Sequence, residues 1–131
     1  MRLKKAIILG AVLGLASLPL IANADLAITN QTSSDSSVMI NGVCSGALGL
    51  DTPSHQTVHY NIGEVTALCG RGFTSCVATI YVSSTKGQCT KEIGSAVINS
   101  SLVVTSASVS GPYSIGGVGS SSVVLGGPQS K

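Results

Sequence analysis

The chain has 131 residues, of which 7 are Lys or Arg and 5 are Asp or Glu, so its formal net charge is +2. A chain of this length fits one domain. Three of the basic residues lie within the first five positions, and the remaining four stand against five acidic residues further along. No basic patch is left to attract nucleic acid, which we therefore exclude as a partner.

The N-terminus, MRLKKAIILGAVLGLASLPLIANA, has the pattern of a secretory signal peptide. A positive start is followed by an apolar stretch and then by Ala22-Asn23-Ala24, a cleavage site of small residues. The apolar stretch is short for a transmembrane helix, and no later segment is long and apolar enough to span a bilayer. We predict a signal peptide over residues 1–24, cleavage between Ala24 and Asp25, and a periplasmic or secreted domain over residues 25–131.

The first part of the mature chain has the alternation of apolar and polar residues that is typical of strands. DLAITN predicts a first strand, QTSSDSS a turn, and SSVMINGVC a second strand that Asn41-Gly42 interrupts as a tight turn or a bulge. SGALGLDTPSHQ predicts a loop. TVHYNI predicts a third strand, with Val58, Tyr60 and Ile62 on one face.

One short helix is predicted next, because Ile62, Val65, Leu68 and Cys69 follow a helical spacing. Asn61 stands where an N-cap is expected, Glu64 follows three residues later, and Gly70 stands where a helix ends.

The rest of the chain predicts further strands. In CVATIYVS, the side chains of Cys76, Ala78, Ile80 and Val82 share one face. KEIGSAVIN, LVVTSASVS, YSIGG and SSVVL follow, although the Gly/Ser-rich segment 111–131 is also compatible with a flexible tail. Seven or eight short strands and one helix predict an all-β fold, a small disulfide-stabilised β-sandwich or barrel.

The four cysteines, Cys44, Cys69, Cys76 and Cys89, all lie in the mature part, and an even number in a small exported domain predicts two disulfides. A regular hairpin would place Cys76 about 20 Å from Cys89, whereas bridged Cα atoms lie within about 7 Å. We therefore favour Cys69–Cys76 with Cys44–Cys89. A Cys76–Cys89 bridge remains the alternative if that segment is a loop.

His55 and His59 raise the possibility of a zinc site with the cysteines. Oxidised cysteines do not bind metal, and no tight cysteine pair of the usual spacing is present. Histidines four residues apart on a strand lie about 13 Å from each other, too far to share one ion. We predict two surface histidines and no metal.

The segments ADLAITNQT, VMINGVCSG, TPSHQTV, EVTALC and CVATIYVSS resemble a loose group of small exported proteins of unknown function from gammaproteobacteria. The resemblance covers about residues 20 to 90, and it implies an exported four-cysteine domain. It transfers no catalytic residue.

No nucleophile elbow, phosphate-binding loop or metalloprotease motif occurs, so we predict no catalytic residue and no cofactor. The leading hypothesis is an exported, non-enzymatic domain that binds a protein, glycan or surface partner. We place its contacts in the loops Leu48–Gln56, with Asp51 and His55, and Gly70–Ser75, with Arg71 and Phe73. The alternatives are a small secreted hydrolase or enzyme inhibitor that uses His55 or His59, and a self-assembling surface or matrix component.

Overall fold

The computed structural model describes residues 25–128, and the predicted signal peptide lies outside these residues. This range contains nine strands, one α-helix and one turn of 3₁₀ helix. The elements are β1 (Asp25–Asn30), β2 (Asp35–Ile40), β3 (Val43–Cys44), a turn of 3₁₀ helix (Ser45–Leu48), β4 (Gln56–Asn61), α1 (Ile62–Cys69), β5 (Ser75–Ser83), β6 (Lys91–Asn99), β7 (Val104–Val109), β8 (Ser114–Gly116) and β9 (Ser122–Gly126).

The strands form two sheets with one hydrophobic core, a β-sandwich that confirms the predicted all-β class. The four-stranded sheet has the order β4-β1-β9-β8, and the five-stranded sheet has the order β3-β2-β5-β6-β7. Neighbouring strands are antiparallel except for β1 and β9, which run parallel. The Gly/Ser-rich C-terminal segment therefore supplies β9, a central strand, rather than a flexible tail over residues 114–126.

The strand count is nine rather than seven or eight, because Asn41 and Gly42 form a tight turn instead of a bulge. Both residues have positive φ angles, 52° and 78°, as a two-residue hairpin turn requires. Ile40 pairs with Val43 across this turn. The predicted second strand is thus a hairpin of β2 and the short β3.

The helix has the predicted ends. The Glu64 amide donates to Asn61 Oδ1 over 2.8 Å, and the Asn61 amide donates to Glu64 Oε1 over 2.9 Å, so both halves of a capping box are present. Val65 and Leu68 are buried, but Ile62 is 43% exposed. The prediction that Ile62 belongs to an apolar face was wrong, because the strand ends at Asn61 and Ile62 opens the first helical turn.

The four cysteines form two disulfides, in the pairing that the sequence favours. Cys44 is bonded to Cys89 with a Cα–Cα distance of 6.0 Å, and Cys69 to Cys76 with 5.7 Å. The first bridge fastens β3 to the segment between β5 and β6. The second joins the end of α1 to the start of β5.

A buried asparagine fastens the β1–β2 connection. Asn30 is fully buried, and its Nδ2 donates to the carbonyl oxygens of Ser34 and Thr52 over 2.7 and 2.9 Å. Its Oδ1 accepts from the amide and the hydroxyl of Thr32. Because both ends of the amide are satisfied, its burial is compatible with a stable core. Within residues 25–128, no helix is long and apolar enough to cross a membrane.

Candidate functional site: the open face of the five-stranded sheet

The outer surface of the five-stranded sheet divides into a covered half and an open half. The segment 84–90 covers the β2–β3 half. Its Cys89 is bonded to Cys44, and its Gly87 amide donates to Asp35. Ser37 lies on the same outer side of β2 as Asp35, and it is only 3% exposed. Along β5, β6 and β7 the outward side chains form what we call the open face: Val77, Thr79, Tyr81, Ser95, Val97, Ser106 and Ser108.

The open face presents methyl and hydroxyl groups in register, and exposed Glu92, the cross-strand partner of Tyr81, places one negative charge at its edge. Val77 pairs with Val97, which pairs with Ser106. In the next row Thr79, Ser95 and Ser108 lie side by side. Val77 is 62% exposed, the largest exposed fraction among the large hydrophobic side chains of the described residues. The row of Val77, Val97 and Ser106 lacks charged side chains, a feature that it shares with the cores of protein interfaces.

A shallow depression of about 510 Å³ adjoins these rows, with Glu92, Ser95, Ser108 and Ser110 in its wall and Gly94 among its lining residues. A side chain at Gly94 would overlap the Ser108 carbonyl, so only glycine fits there. The contact loop predicted over Gly70–Ser75 leads into β5 two residues before Val77, which places it beside this face along the chain. Strand alternation separated Val77, Thr79 and Tyr81 from the buried face of β5, but only the sheet order shows which residues of β6 and β7 lie beside them.

At the covered half, two carboxyl groups and one lysine form what we call the carboxyl cluster: Asp35, Asp51 and Lys86. Lys86 Nζ lies 2.7 Å from Asp51 Oδ2, and the Gly87 amide donates to Asp35 Oδ2 over 2.9 Å. The side chain of Asp51 is 4% exposed and that of Lys86 is 71% exposed. The three residues lie far apart in the sequence, so no local pattern could reveal them.

The two carboxyl groups titrate as a pair, with pKa values moved in opposite directions. Burial, reinforced by the hydrogen bond with Asp51, raises the pKa of Asp35 from 3.8 to about 6. Burial also acts on Asp51, but hydrogen bonds from Asp35 and Lys86 outweigh it and lower the pKa of Asp51. The pair therefore keeps one proton below about pH 6 and is largely ionised at neutral pH.

The predicted contact residues lie in different environments. Asp51 is buried and its carboxylate pairs with Lys86 inside the carboxyl cluster, while the contact role expected for it stays a prediction. Arg71 is exposed, whereas Phe73 is half-buried against the core. The two predicted loops lie at opposite ends of the sandwich, because Ser36 pairs with Thr52 near the end of β5 while residues 70–74 precede its start.

Both histidines are exposed. The ring nitrogen Nδ1 of His59 lies 3.3 Å from Asp25 Oδ2, and its side chain is 63% exposed. His55 has a φ of 61°, a left-handed conformation in the loop before β4. Within residues 25–128, no serine hydroxyl is a hydrogen-bond partner of either ring, and no group of three or more His, Cys, Asp or Glu residues is arranged to hold a metal ion.

A small apolar cavity of about 70 Å³ lies between the two sheets. Ala78 and Ala96 from the five-stranded sheet line it together with Leu26, Val123 and Leu125 from the other sheet. Below it, the Tyr60 hydroxyl is within 2.7 Å of Thr52 Oγ1, and burial raises the pKa of Tyr60 to about 12. The cavity is too small for a cofactor, since ligand pockets usually exceed about 300 Å³.

No protein-family model matches the chain, and no curated protein matches it. A similar solved structure is the crystal structure of the Legionella pneumophila type II secretion system substrate NttC. The two chains are 19% identical, the TM-score is 0.62, and the match covers 79% of this chain and 97% of that chain. At this level of identity the similarity concerns the fold.

Proposed function

We propose that the protein is an exported, non-catalytic interaction domain that binds a protein partner through the open face. The observation that carries the proposal is the uncharged row of Val77, Val97 and Ser106, in which Val77 is 62% exposed. Burying exposed apolar area is the main favourable term in protein association.

Export is supported by three independent features. The N-terminus has the pattern of a signal peptide. All four cysteines are bridged, which is typical of proteins that leave the cytoplasm. The fold resembles that of a type II secretion system substrate.

A protein partner fits the open face better than the other classes considered. A nucleic acid would need clustered Lys and Arg side chains, and the face has none. A glycan partner is favoured by stacking surfaces, and the open face has one aromatic ring, the half-buried Tyr81. A hydrolase that uses His55 or His59 lacks support, because His59 pairs with Asp25 and His55 lies in a loop at an end of the sandwich.

Site-specific photo-crosslinking in the producing organism tests the proposal. A photoreactive residue at Val77 should give one crosslinked protein species, since Val77 is central to the proposed contact. The matched control is Ile62, an apolar residue outside the open face and the predicted contact loops that is 43% exposed. Added unlabelled wild-type mature protein should compete with the crosslink, and the Val77→Lys variant should not.

The outcomes separate the hypotheses. Equal crosslinking at Val77 and Ile62, or failure of wild-type protein to compete, would contradict the proposal. A product with twice the mass of the mature chain would instead favour the self-assembling component. Release of the protein from a glycan matrix by free sugar, without a crosslinked protein, would favour a glycan partner.

A further inference from the structure

We propose that the protein partner adds an extended strand to the free edge of β7 and places a Lys or Arg side chain against Glu92. The inference rests on the proposed function, since it specifies how a protein partner meets the open face and which chemistry that partner carries. The backbone register of β7 and the depression beside this strand carry the inference.

Among the four edge strands of residues 25–128, β7 combines length with an absence of charge. β3 and β8 have two and three residues, and β3 is disulfide-bonded to the segment 84–90 that covers it. β4 has six residues but carries His59, which pairs with Asp25. β7, with the sequence VTSASV, has six residues and no charged residue or proline. Charges, proline and short length are the usual protection of an edge, so β7 is suited to pairing with another strand.

The backbone groups of β7 that point away from β6 are unpaired at two residues. The Ser110 amide donates to the Ile93 carbonyl oxygen over 2.9 Å, so residue 110 faces β6. Because backbone groups alternate between the two sides of an antiparallel strand, Ser108 also faces β6, whereas Ala107 and Val109 face away from it. β6 is the strand that pairs with β7, and within residues 25–128 the backbone of Ala107 and Val109 makes no further hydrogen bond. Two N–H and two C=O groups are therefore available to an extended chain.

The free edge is bounded at the start of β7. The Val104 amide donates to the Ser120 carbonyl oxygen over 3.0 Å, and the Gly119 amide donates to the Val104 carbonyl oxygen over 2.7 Å. The loop before β9 thus occupies the position of a neighbouring strand beside Val104. A partner strand therefore pairs with residues 106–109, where the exposed Ser106 and Ser108 belong to the open face.

The depression of about 510 Å³ lies next to this edge, between β6 and β7. Its volume is within the range of about 300–1,000 Å³ that is usual for ligand sites, and Ser95, Ser108 and Ser110 line it. Glu92 is the charged residue of its lining. Among the described residues, no Lys, Arg or His lies within ion-pair distance of the Glu92 carboxylate. The depression therefore presents a negative charge that a cationic side chain of a partner can neutralise.

The distance from the edge selects a long side chain. Neighbouring strands lie about 4.8 Å apart, so a strand added to β7 lies about 10 Å from β6, which carries Glu92. Lys and Arg side chains are long enough to cross β7 above its exposed serines. β7 itself has no basic residue, so a second copy paired through β7 would bring no cation to Glu92 from that strand. The charge thus favours a different protein, one with an extended basic segment.

Titration of the oxidised mature protein with a synthetic peptide tests this. The probe is the capped peptide Val-Thr-Val-Arg-Val-Thr-Val, in which Arg and both Thr side chains share one face of an extended chain. At saturation, hydrogen exchange of the Ala107 and Val109 amides, followed by NMR, should slow about tenfold or more. The Ser106 and Ser108 amides already face β6, and their exchange should change by less than about twofold.

Altered peptides are the matched controls. N-methylation of alternate peptide amides removes the donors of one edge, so one of the two alternating patterns should weaken binding about tenfold or more and the other should not. Gln in place of Arg should weaken binding about two- to fivefold, and this preference should disappear in Glu92→Gln. An absence of protection at Ala107 and Val109, equal protection along β4, or an Arg preference that survives in Glu92→Gln would overturn the proposal.

Crosslinking at Val77 separates this inference from the proposed function. Ala107→Pro removes an amide that faces away from β6, a position at which an edge strand accepts proline, and Ala107→Val keeps the amide. The yield of the Val77 crosslink should fall about tenfold or more in Ala107→Pro and stay near that of the wild type in Ala107→Val. Equal yields in the two folded variants would overturn the edge pairing and leave the proposed function standing. A wild type without a Val77 crosslink, but with the peptide bound at β7, would contradict the proposed function alone.

Discussion

Gly46 and Gly87 meet backbone to backbone: a Cβ atom at Gly46 would overlap the carbonyl group of Gly87. This contact seats the segment 84–90 against the 3₁₀ turn, beside the Cys44–Cys89 bridge. Gly46 is required by this close approach and not by its own dihedral angles. The relationship between these two glycines shows that the segment is packed and not merely tethered.

The Gly46→Ala variant should therefore be destabilised. Since the overlapping atoms are backbone, the segment has to move, and we expect a loss of about 1–3 kcal/mol in the free energy of unfolding. The measurement is urea denaturation of the oxidised protein. Gly116→Ala is the matched control, because a Cβ at Gly116 meets nothing within 4 Å, and a similar loss in both variants would contradict the packing argument.

The two disulfides should differ in their contribution to stability. Cys44–Cys89 spans 45 residues and Cys69–Cys76 spans 7. Loop-closure entropy predicts a loss of about 4 kcal/mol when the first is replaced by a pair of alanines and about 2 kcal/mol when the second is replaced. Chemical denaturation of both double variants measures the order, and an equal or reversed order would show that strain or residual structure in the unfolded state outweighs chain entropy.

Local pattern predicted most of this fold. The alternation in β5 placed Cys76 and Val82 on the buried face, as observed. The helix ends were predictable because a capping box and a terminal glycine act within a few residues. Ile62 was misplaced because it satisfies both the strand and the helix pattern at the point where one element becomes the other.

The candidate sites needed long-range information. Asp51 stands between Leu50 and Thr52, in a segment whose sequence is typical of a surface loop. It is buried because Thr52 pairs with Ser36 and draws the loop against β2. The open face has the same character: its serines and valines are ordinary strand residues until the order β5-β6-β7 places them in rows.

Filling the cavity between the sheets should stabilise the protein. Ala78 is 1% exposed and lines the cavity of about 70 Å³, so Ala78→Val adds two methyl groups to empty apolar space. We expect a gain of about 0.5–1.5 kcal/mol from cavity volume. Ala27→Val is the control, because Ala27 is half-exposed and this change adds only the higher strand propensity of valine. Thermal unfolding measures both variants. A gain in stability for Ala78→Val no larger than that for Ala27→Val would exclude cavity filling.

The histidines should be replaceable without loss of fold or binding. His59 makes an exposed pair with Asp25, and such pairs contribute about 0–1 kcal/mol. We expect His59→Ala to change stability by no more than about 0.5 kcal/mol. His55→Asn, which tolerates the left-handed conformation, should behave in the same way. Crosslinking at Val77 should be unchanged in both variants, and a loss of activity in either folded variant would favour the hydrolase hypothesis.

The pH dependence of stability should carry the signature of Asp35. Its pKa is higher in the folded protein, about 6, than the ordinary value of 3.8 expected in the unfolded chain, so folding takes up a proton between these values. The stability associated with protonated Asp35 is therefore fully present below about pH 3.8 and is lost as the pH rises through about 6. Asp51, whose pKa is lowered, contributes in the opposite direction, since its stabilisation is present above pH 3.8 and is lost only in stronger acid.

Asp35→Asn keeps the neutral form at every pH and should match the stability of the wild type at about pH 4. At about pH 7.5 it should exceed the wild type by on the order of 1 kcal/mol, after allowance for solvent screening of a half-buried group. In a domain of this size that difference corresponds to a rise of about 4–8 °C in Tm. Calorimetry of both proteins across this range measures it, with Glu92→Gln to correct for net charge; a wild type that equals Asp35→Asn at neutral pH would mean that Asp35 is not held protonated by the fold.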